Sequence, residues 1–237
     1  ATAVLGASLL ISGCGSSTNN ASSSGASSSK AEVLKVAANP VPHAEILNHI
    51  KPLLAKEGVD LQVIEFTDYI QPNMALSSKE VDANFFANVP YQNNFNKDHG
   101  TNFVSFAPVH IEPLAIYSQK IKDLKDLPNG AKVAIPSDPT NSARALLLLQ
   151  SAGLVTLKDP TGLTNTPFDV TSNPKNIQIT ELEAAQIPRS IQDLDAAVIN
   201  ANYALPAGLN PTKDGLFVEK ADSPYANLLS VNPGDEN

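Results

Sequence analysis

Ala131-Lys132-Val133-Ala134-Ile135-Pro136-Ser137-Asp138-Pro139-Thr140-Asn141-Ser142-Ala143-Arg144 reads as one strand–turn–helix unit. Ala131 to Ile135 is a short apolar strand. Asp138-Pro139-Thr140 is a helix N-terminus signal, and it leads into a helix over Ala143 to Ala152 that Gly153 closes. Leu146 to Leu149 leave that helix no polar face, so it is expected to be buried on most sides.

The same alternation extends outward in both directions. Val33 to Ala37 is a strand, and His43 to Glu57 carries Ile46, Leu47, Ile50, Leu53 and Leu54 at helical spacing. Pro52 lies inside that stripe and should kink or restart the helix, and Gly58 stops it. Leu61, Val63 and Phe66 mark the next strand, Pro72 opens a short helix, and Val81 to Phe86 reads as strand. Pro90 opens a helix that ends near Gly100, and Phe103 to Tyr117 is extended throughout. Beyond the quoted unit, Ile177 to Leu182 is strand, Pro188 opens a helix and Ala196 to Ile199 is strand. Gly215 to Val218 and Ala226 to Val231 are the last strands. Strands alternating with helices predict an α/β protein with mainly parallel sheets. Two such units predict two lobes with a ligand cleft between them.

The N-terminal end has a different character. Cys14 is the only cysteine, and it follows the apolar run Leu9-Leu10-Ile11 and the small pair Ser12-Gly13. This is the pattern of a bacterial lipoprotein processing site. Residues 1–13 then form an N-terminally truncated signal peptide, too short for a membrane span of about 20 apolar residues. A trimmed ordinary signal or a core cysteine is the competing reading, but the residues that follow cannot form a core. Gly15 to Ser29 is small, uncharged and low in hydrophobicity, so residues 14–30 are expected to be a lipidated, flexible tether spanning about 20 Å.

The remaining stretch of about 207 residues can bury a sizeable core. All of the net charge of −8 lies from Lys30 onward. That acidity argues against nucleic acid and against a polybasic membrane patch. With no second cysteine there is no intrachain disulfide.

Chemistry-bearing residues are few. Arg144 is one of only two arginines, the other being Arg189, against fourteen lysines. It falls in the first turns of a helix, where the dipole favours anions. Two readings stand side by side: a bidentate grip on a ligand carboxylate, or a structural pair with Asp138 or another acid. Asn200 and Asn202 follow a strand, where ligands bind in α/β sheets, though asparagine also serves turns and caps. Tyr69, Phe85, Phe86 and Tyr91 cluster near strand ends and helix starts, as core or as ligand wall. The four histidines are scattered; His110 and Glu112 share one strand face, a weak metal hint that a surface pair explains better. No P-loop, G-x-G-x-x-G or G-x-S-x-G is present, so no enzyme class is indicated, and neither a cofactor nor a metal is expected.

Several motifs in order resemble one family. They are Phe66-Thr67-Asp68-Tyr69-Ile70-Gln71-Pro72-Asn73, Asp82-Ala83-Asn84-Phe85-Phe86-Ala87-Asn88-Val89-Pro90-Tyr91 and Pro136-Ser137-Asp138-Pro139-Thr140-Asn141-Ser142-Ala143-Arg144. Others are Glu181 to Ser190, Ala197-Val198-Ile199-Asn200 and Ser223-Pro224-Tyr225-Ala226-Asn227. Together they resemble the methionine-binding lipoproteins of ABC importers, the NlpA family, from about Val33 to Val231. The resemblance implies a two-lobed, type II-like periplasmic-binding-protein fold. Lobe 1 would comprise residues 31–112 and 203–237, and lobe 2 residues 113–202. Members continue past the position of Val231, so the chain reads as a fragment at that end of lobe 1.

The resemblance also implies capture of L-methionine and its delivery to a permease and ATPase. The protein would be a monomer held by its lipid on the extracytoplasmic face of the cell membrane. Arg144 would hold the carboxylate, and Asn200 and Asn227 would fix the amino and carboxylate ends. Tyr69, Phe86 and Tyr91 would line the side-chain slot, with Asn141 and Asn88 beside them; Asn88 stands where many members carry histidine. The same fold could instead take another amino acid, a methionine derivative or a short peptide. A surface adhesin or signalling lipoprotein is the rival of a different class.

Overall fold

The computed structural model describes residues 31–221 and 223–236. The expected signal peptide, Cys14 and the tether lie outside the described residues.

In chain order the first lobe supplies β1 (Glu32–Ala38), α1 (Glu45–Lys56), β2 (Val59–Glu65), α2 (Gln71–Ser77), β3 (Ala83–Asn88), α3 (Val89–His99) and β4 (Val104–Ile111). The second lobe begins with β5 (Ala115–Tyr117), β6 (Lys132–Pro136) and α4 (Pro139–Ser151). The short strands β7 (Thr156–Leu157) and β8 (Val170–Ser172) pair with each other outside the main sheets. The lobe continues with β9 (Gln178–Leu182), α5 (Ile187–Ser190), β10 (Ala196–Ile199), α6 (Ala201–Ala204), α7 (Pro211–Asp214) and β11 (Phe217–Val218). The chain then returns to the first lobe as β12 (Ala226–Val231). Each lobe is built on one five-stranded sheet, ordered β2-β1-β3-β12-β4 and β11-β5-β10-β6-β9.

The sheets are mixed rather than mainly parallel, and the reason is topological. β1 runs parallel to β2 and β3, whereas β12 runs antiparallel to both β3 and β4. β6 runs parallel to β9 and β10, whereas β5 runs antiparallel to β10 and β11. The one reversed strand in each sheet is thus the first laid down after a crossing. It starts at the edge facing the other lobe, where its neighbours end. The predicted extended run Phe103–Tyr117 accordingly divides: β4 belongs to the first sheet and β5 to the second.

The inner strands, β3 in the first sheet and β5, β6 and β10 in the second, are covered on both faces, so their residues alternate between two buried layers. In the second lobe Val133, Ile135, Ile116 and Val198 pack with Leu146 and Leu149 of α4. Ala134, Ala115, Tyr117, Ala197 and Ile199 point the other way, onto Ile187 and Ala204. In the first lobe Val36 and Phe85 face one layer and Ala37 and Phe86 the other. This two-sided burial is why the strands read as continuous apolar runs.

Two further expectations need correction. The second lobe does not end at residue 202. Ala204, Leu209 and Val218 pack with Ile199, and β11 pairs with β5, so the return to the first lobe follows Val218. Pro52 does not restart α1, which runs unbroken from Glu45 to Lys56. Both Pro52 and Asn48, whose carbonyl loses its intrahelical donor, are exposed, so water can satisfy that carbonyl. The backbone departs from helical geometry earlier, at Val41.

Candidate functional site

The strand ends that face the other lobe converge on a narrow crevice. Tyr69, Phe86, Asn88, Tyr91, Asn141, Arg144, Asn200 and Asn227, the eight residues singled out from the sequence, all line it. His43, Glu112 and Asn202 line it too.

The aromatic wall comes from the first lobe. Asn88 ends β3 and caps α3, its Oδ1 accepting from the Tyr91 backbone N–H at 3.0 Å. That cap fixes the turn holding Phe86 and Tyr91. Tyr69 stacks on Phe86 at 5.9 Å between ring centroids and meets Tyr91 edge-on at 5.8 Å. The Tyr91 hydroxyl donates to the Tyr69 carbonyl at 2.7 Å, and the Tyr69 hydroxyl donates across the crevice to Asn202 Oδ1, also at 2.7 Å. Burial pushes both hydroxyls far above the ordinary tyrosine range, so both remain neutral donors.

The second lobe supplies the cation. Arg144 is only 4% exposed. Its Nε donates to Glu219 Oε1 at 2.9 Å, and its Nη2 to Glu219 Oε2 and to the Glu112 carbonyl, the latter at 2.8 Å. The guanidinium also lies 4.3 Å over the Tyr225 ring. The structural acid is therefore Glu219, not Asp138. The ligand reading survives beside it, because Nη1 makes no hydrogen bond among the described residues while Arg144 lines the crevice.

Asparagines line the rest of the second lobe's wall. Asp138 caps α4, accepting from the Asn141 backbone N–H at 2.9 Å and from Asn141 Nδ2 at 3.0 Å to each oxygen. Burial raises its carboxyl above the ordinary value, against these donors and the Arg144 charge. Asn200 Nδ2 donates to Asn141 Oδ1 at 2.8 Å. Asn200 Oδ1 and Asn202 Nδ2 are buried without partners.

Opposite them stands a clamped carboxylate. Glu112 Oε1 lies 3.0 Å from His43 Nε2 and 2.8 Å from His110 Nε2. His43 Nε2 is also 3.1 Å from Asn227 Oδ1. Burial would raise the Glu112 carboxyl, but the hydrogen bonds from His110 and His43 outweigh it and hold it at about 2.

The ligand atoms of His43, His110 and Glu112 lie within 4.8 Å of one another, close enough to share a metal ion. The surroundings do not suit one. Both Nδ1 atoms are buried without a partner. A metal on Nε2 would place each ring hydrogen on Nδ1, where nothing accepts it, whereas metal-bound histidines ordinarily donate that hydrogen. With hydrogens on Nε2 instead, both rings can donate to Oε1, and the two charge-assisted bonds offset the cost of each bare Nδ1. The cluster is a carboxylate clamp.

His43 was not read as a site residue from the sequence, whereas Asn202 stood there as either a ligand contact or a cap and Glu112 only as a weak metal hint with His110. The alternation His110-x-Glu112 placed two of the clamp residues on one strand face, but His43 reaches them only through the tertiary fold. Asn200-x-Asn202, at the start of α6, was the available signal for Asn202.

The sequence profile described as NlpA lipoprotein matches residues 34–237. The chain belongs to the NlpA lipoprotein family. It is 51% identical over 176 residues to the D-methionine-binding lipoprotein MetQ of Salmonella typhimurium, covering 73% of this chain and 65% of that protein. It thus spans just under two thirds of the length of such curated relatives. A nutrient binding protein from Burkholderia cenocepacia, solved bound to methionine, is 48% identical, with a TM-score of 0.83 over 86% of each chain. A periplasmic substrate-binding protein of an ABC transporter from Coxiella burnetii is 44% identical, with a TM-score of 0.83 over 86% of each chain. The two-lobed α/β fold is that of periplasmic substrate-binding proteins.

The Glu112 clamp has a pH signature. Its folded-state pKa lies below the ordinary 4.5, so its stabilisation is complete above about pH 4.5 and is lost as pH falls toward about 2, roughly 3 kcal/mol in all. Thermal melts between about pH 5 and pH 2.5 should show a steeper loss of melting temperature in the wild type than in Glu112→Gln. Parallel curves contradict the clamp.

Proposed function

We propose that the protein is a lipid-anchored receptor that captures methionine in the crevice and passes it to an ABC importer made of a permease and an ATPase. The observation that carries this reading is the segregation of donors and acceptors beside an aromatic slot. Arg144 Nη1 and Asn202 Nδ2 offer hydrogens to a carboxylate, as does Asn227, whose Oδ1 faces His43. The Glu112 carboxylate and Asn200 Oδ1 offer acceptors to an ammonium. An α-amino acid carries both groups on one carbon, and the rings of Phe86, Tyr69 and Tyr91 suit a flexible thioether. Sulfur–aromatic contacts contribute about 0.3–1.5 kcal/mol each, and hydrogen bonds to charged groups about 1.5–3 kcal/mol. The polar end therefore supplies most of the affinity and the slot supplies the choice of side chain.

The names of the relatives, which bind D-methionine or were solved with methionine, support the ligand class. L-methionine is the expected physiological ligand, and the protein acts as a monomer. Acylation of Cys14 and the tether after it would hold the receptor on the extracytoplasmic face. Two acyl chains, at about 0.8 kcal/mol per buried CH2, suffice for stable anchoring.

Calorimetry with L- and D-methionine tests the ligand assignment. Arg144→Lys keeps a charge beside Glu219 but loses the planar fork, and should weaken methionine binding roughly 10- to 100-fold, one or two charge-assisted bonds. Arg189→Ala, at an exposed position, should change it by less than about threefold. Equal effects would make Arg144 purely structural, and tighter binding of another amino acid or a dipeptide would reassign the ligand. For the anchor, radiolabelled palmitate should be incorporated in a bacterial host and lost in Cys14→Ser; equal labelling of that variant rules out acylation at Cys14.

A further inference from the structure

An asparagine side chain has nearly the same outline in its two amide orientations; what differs is which end donates. A neighbour that can only accept settles the choice. Asp138 is such a neighbour, partly buried behind the crevice wall. Both of its oxygens lie 3.0 Å from Asn141 Nδ2. A carboxylate offers no hydrogen, so Asn141 turns its NH2 toward Asp138 and its oxygen away. That oxygen accepts from Asn200 Nδ2 at 2.8 Å. Asn200 is left with its own oxygen, buried and without a partner, at the crevice.

We infer that Asp138 is a positioning residue that sets the hydrogen-bond polarity of the crevice, committing Asn200 through Asn141 to present an acceptor to the ligand. The inference rests on reading the crevice as an amino-acid site and explains how an uncharged wall selects an α-ammonium. An ammonium can only donate, and it is rejected by an amide that turns its NH2 inward. A hydroxyl can donate or accept, so it tolerates either orientation. Selection of the amine over an α-hydroxyl is therefore reinforced, beside the direct Glu112 carboxylate, by a second carboxylate two side chains removed from the ligand. Asp138 also caps α4, and asparagine caps helices as well as aspartate does, so Asp138→Asn retains the cap while freeing the relay to flip.

The test is calorimetry on the full chain with L-methionine and with its α-hydroxy analogue, 2-hydroxy-4-(methylthio)butanoate. In Asp138→Asn, methionine affinity should fall at least tenfold and that of the hydroxy acid less than threefold, so that the preference for the amine collapses. A merely structural Asp138 would weaken both ligands equally; equal weakening, or no change, overturns the relay. If the wild type binds neither ligand, the amino-acid reading fails by itself. A neutron structure of the ligand-free wild type tests the relay without a variant. The deuterons of Asn141 Nδ2 should face Asp138 and those of Asn200 Nδ2 should face Asn141; Asn200 deuterons pointing into the crevice would refute it.

Discussion

The contact between Arg144 and Glu219 joins the two crossings of the chain to the site. Glu112 lies just after β4, where the chain leaves the first lobe, and its carbonyl accepts from Arg144 Nη2. Glu219 lies just after β11, where the chain heads back, and its carboxylate takes Arg144 Nε and Nη2. Glu219 also ties the two crossings together, its backbone N–H donating to the Leu114 carbonyl at 2.8 Å. Tyr225, ahead of β12, stacks on the guanidinium. A buried guanidinium is tolerable only when paired, and Glu219 provides the pairing. Once neutralised in this way, the side chain can turn its remaining donor to the crevice without leaving an uncompensated charge in the empty site. Any motion that opens the lobes bends the segments Arg144 holds, so hinge and site share one residue.

Around that anchor the crevice is made mostly of neutral groups whose direction is fixed by others. The Tyr69 hydroxyl donates to Asn202 Oδ1, and Asp138 acts through Asn141 on Asn200. His43 Nε2 lies beside both Asn227 Oδ1 and Glu112 Oε1, and with His110 it holds Glu112 ionised. Amides add polarity without the desolvation cost of further buried charges. The unpaired buried atoms of Asn200 and Asn202 lie where they line the crevice, so a ligand there can supply the partners they lack.

Much of this was legible in the sequence, for identifiable reasons. Strands covered on both faces, such as Ala196–Ile199, appear as plain apolar runs bounded by turn residues. The Asp138 cap and Pro139 marked the start of α4 at the place where Arg144 is needed. The eight crevice residues were found through ordered motifs, since strand-end segments carry them in chain order. What was not legible depends on tertiary approach. His43 meets Asn227 across 184 positions, and Glu219 meets Arg144 across 75. The strand Gly215 to Val218 was legible, but its pairing with β5, which carries the second lobe past residue 203, is a tertiary fact that local pattern does not encode. Strand direction after each crossing is a property of the route between the lobes, which local pattern does not encode.

The most direct measurement is a crystal structure of the chain with L-methionine. The ligand carboxylate should lie about 3 Å from Arg144 Nη1, with the ammonium between the Glu112 carboxylate and Asn200 Oδ1 and the thioether against Phe86. Methionine bound outside the crevice, or bound within it with its carboxylate away from a guanidinium that contacts only Glu219, Glu112 and Tyr225, would contradict the account.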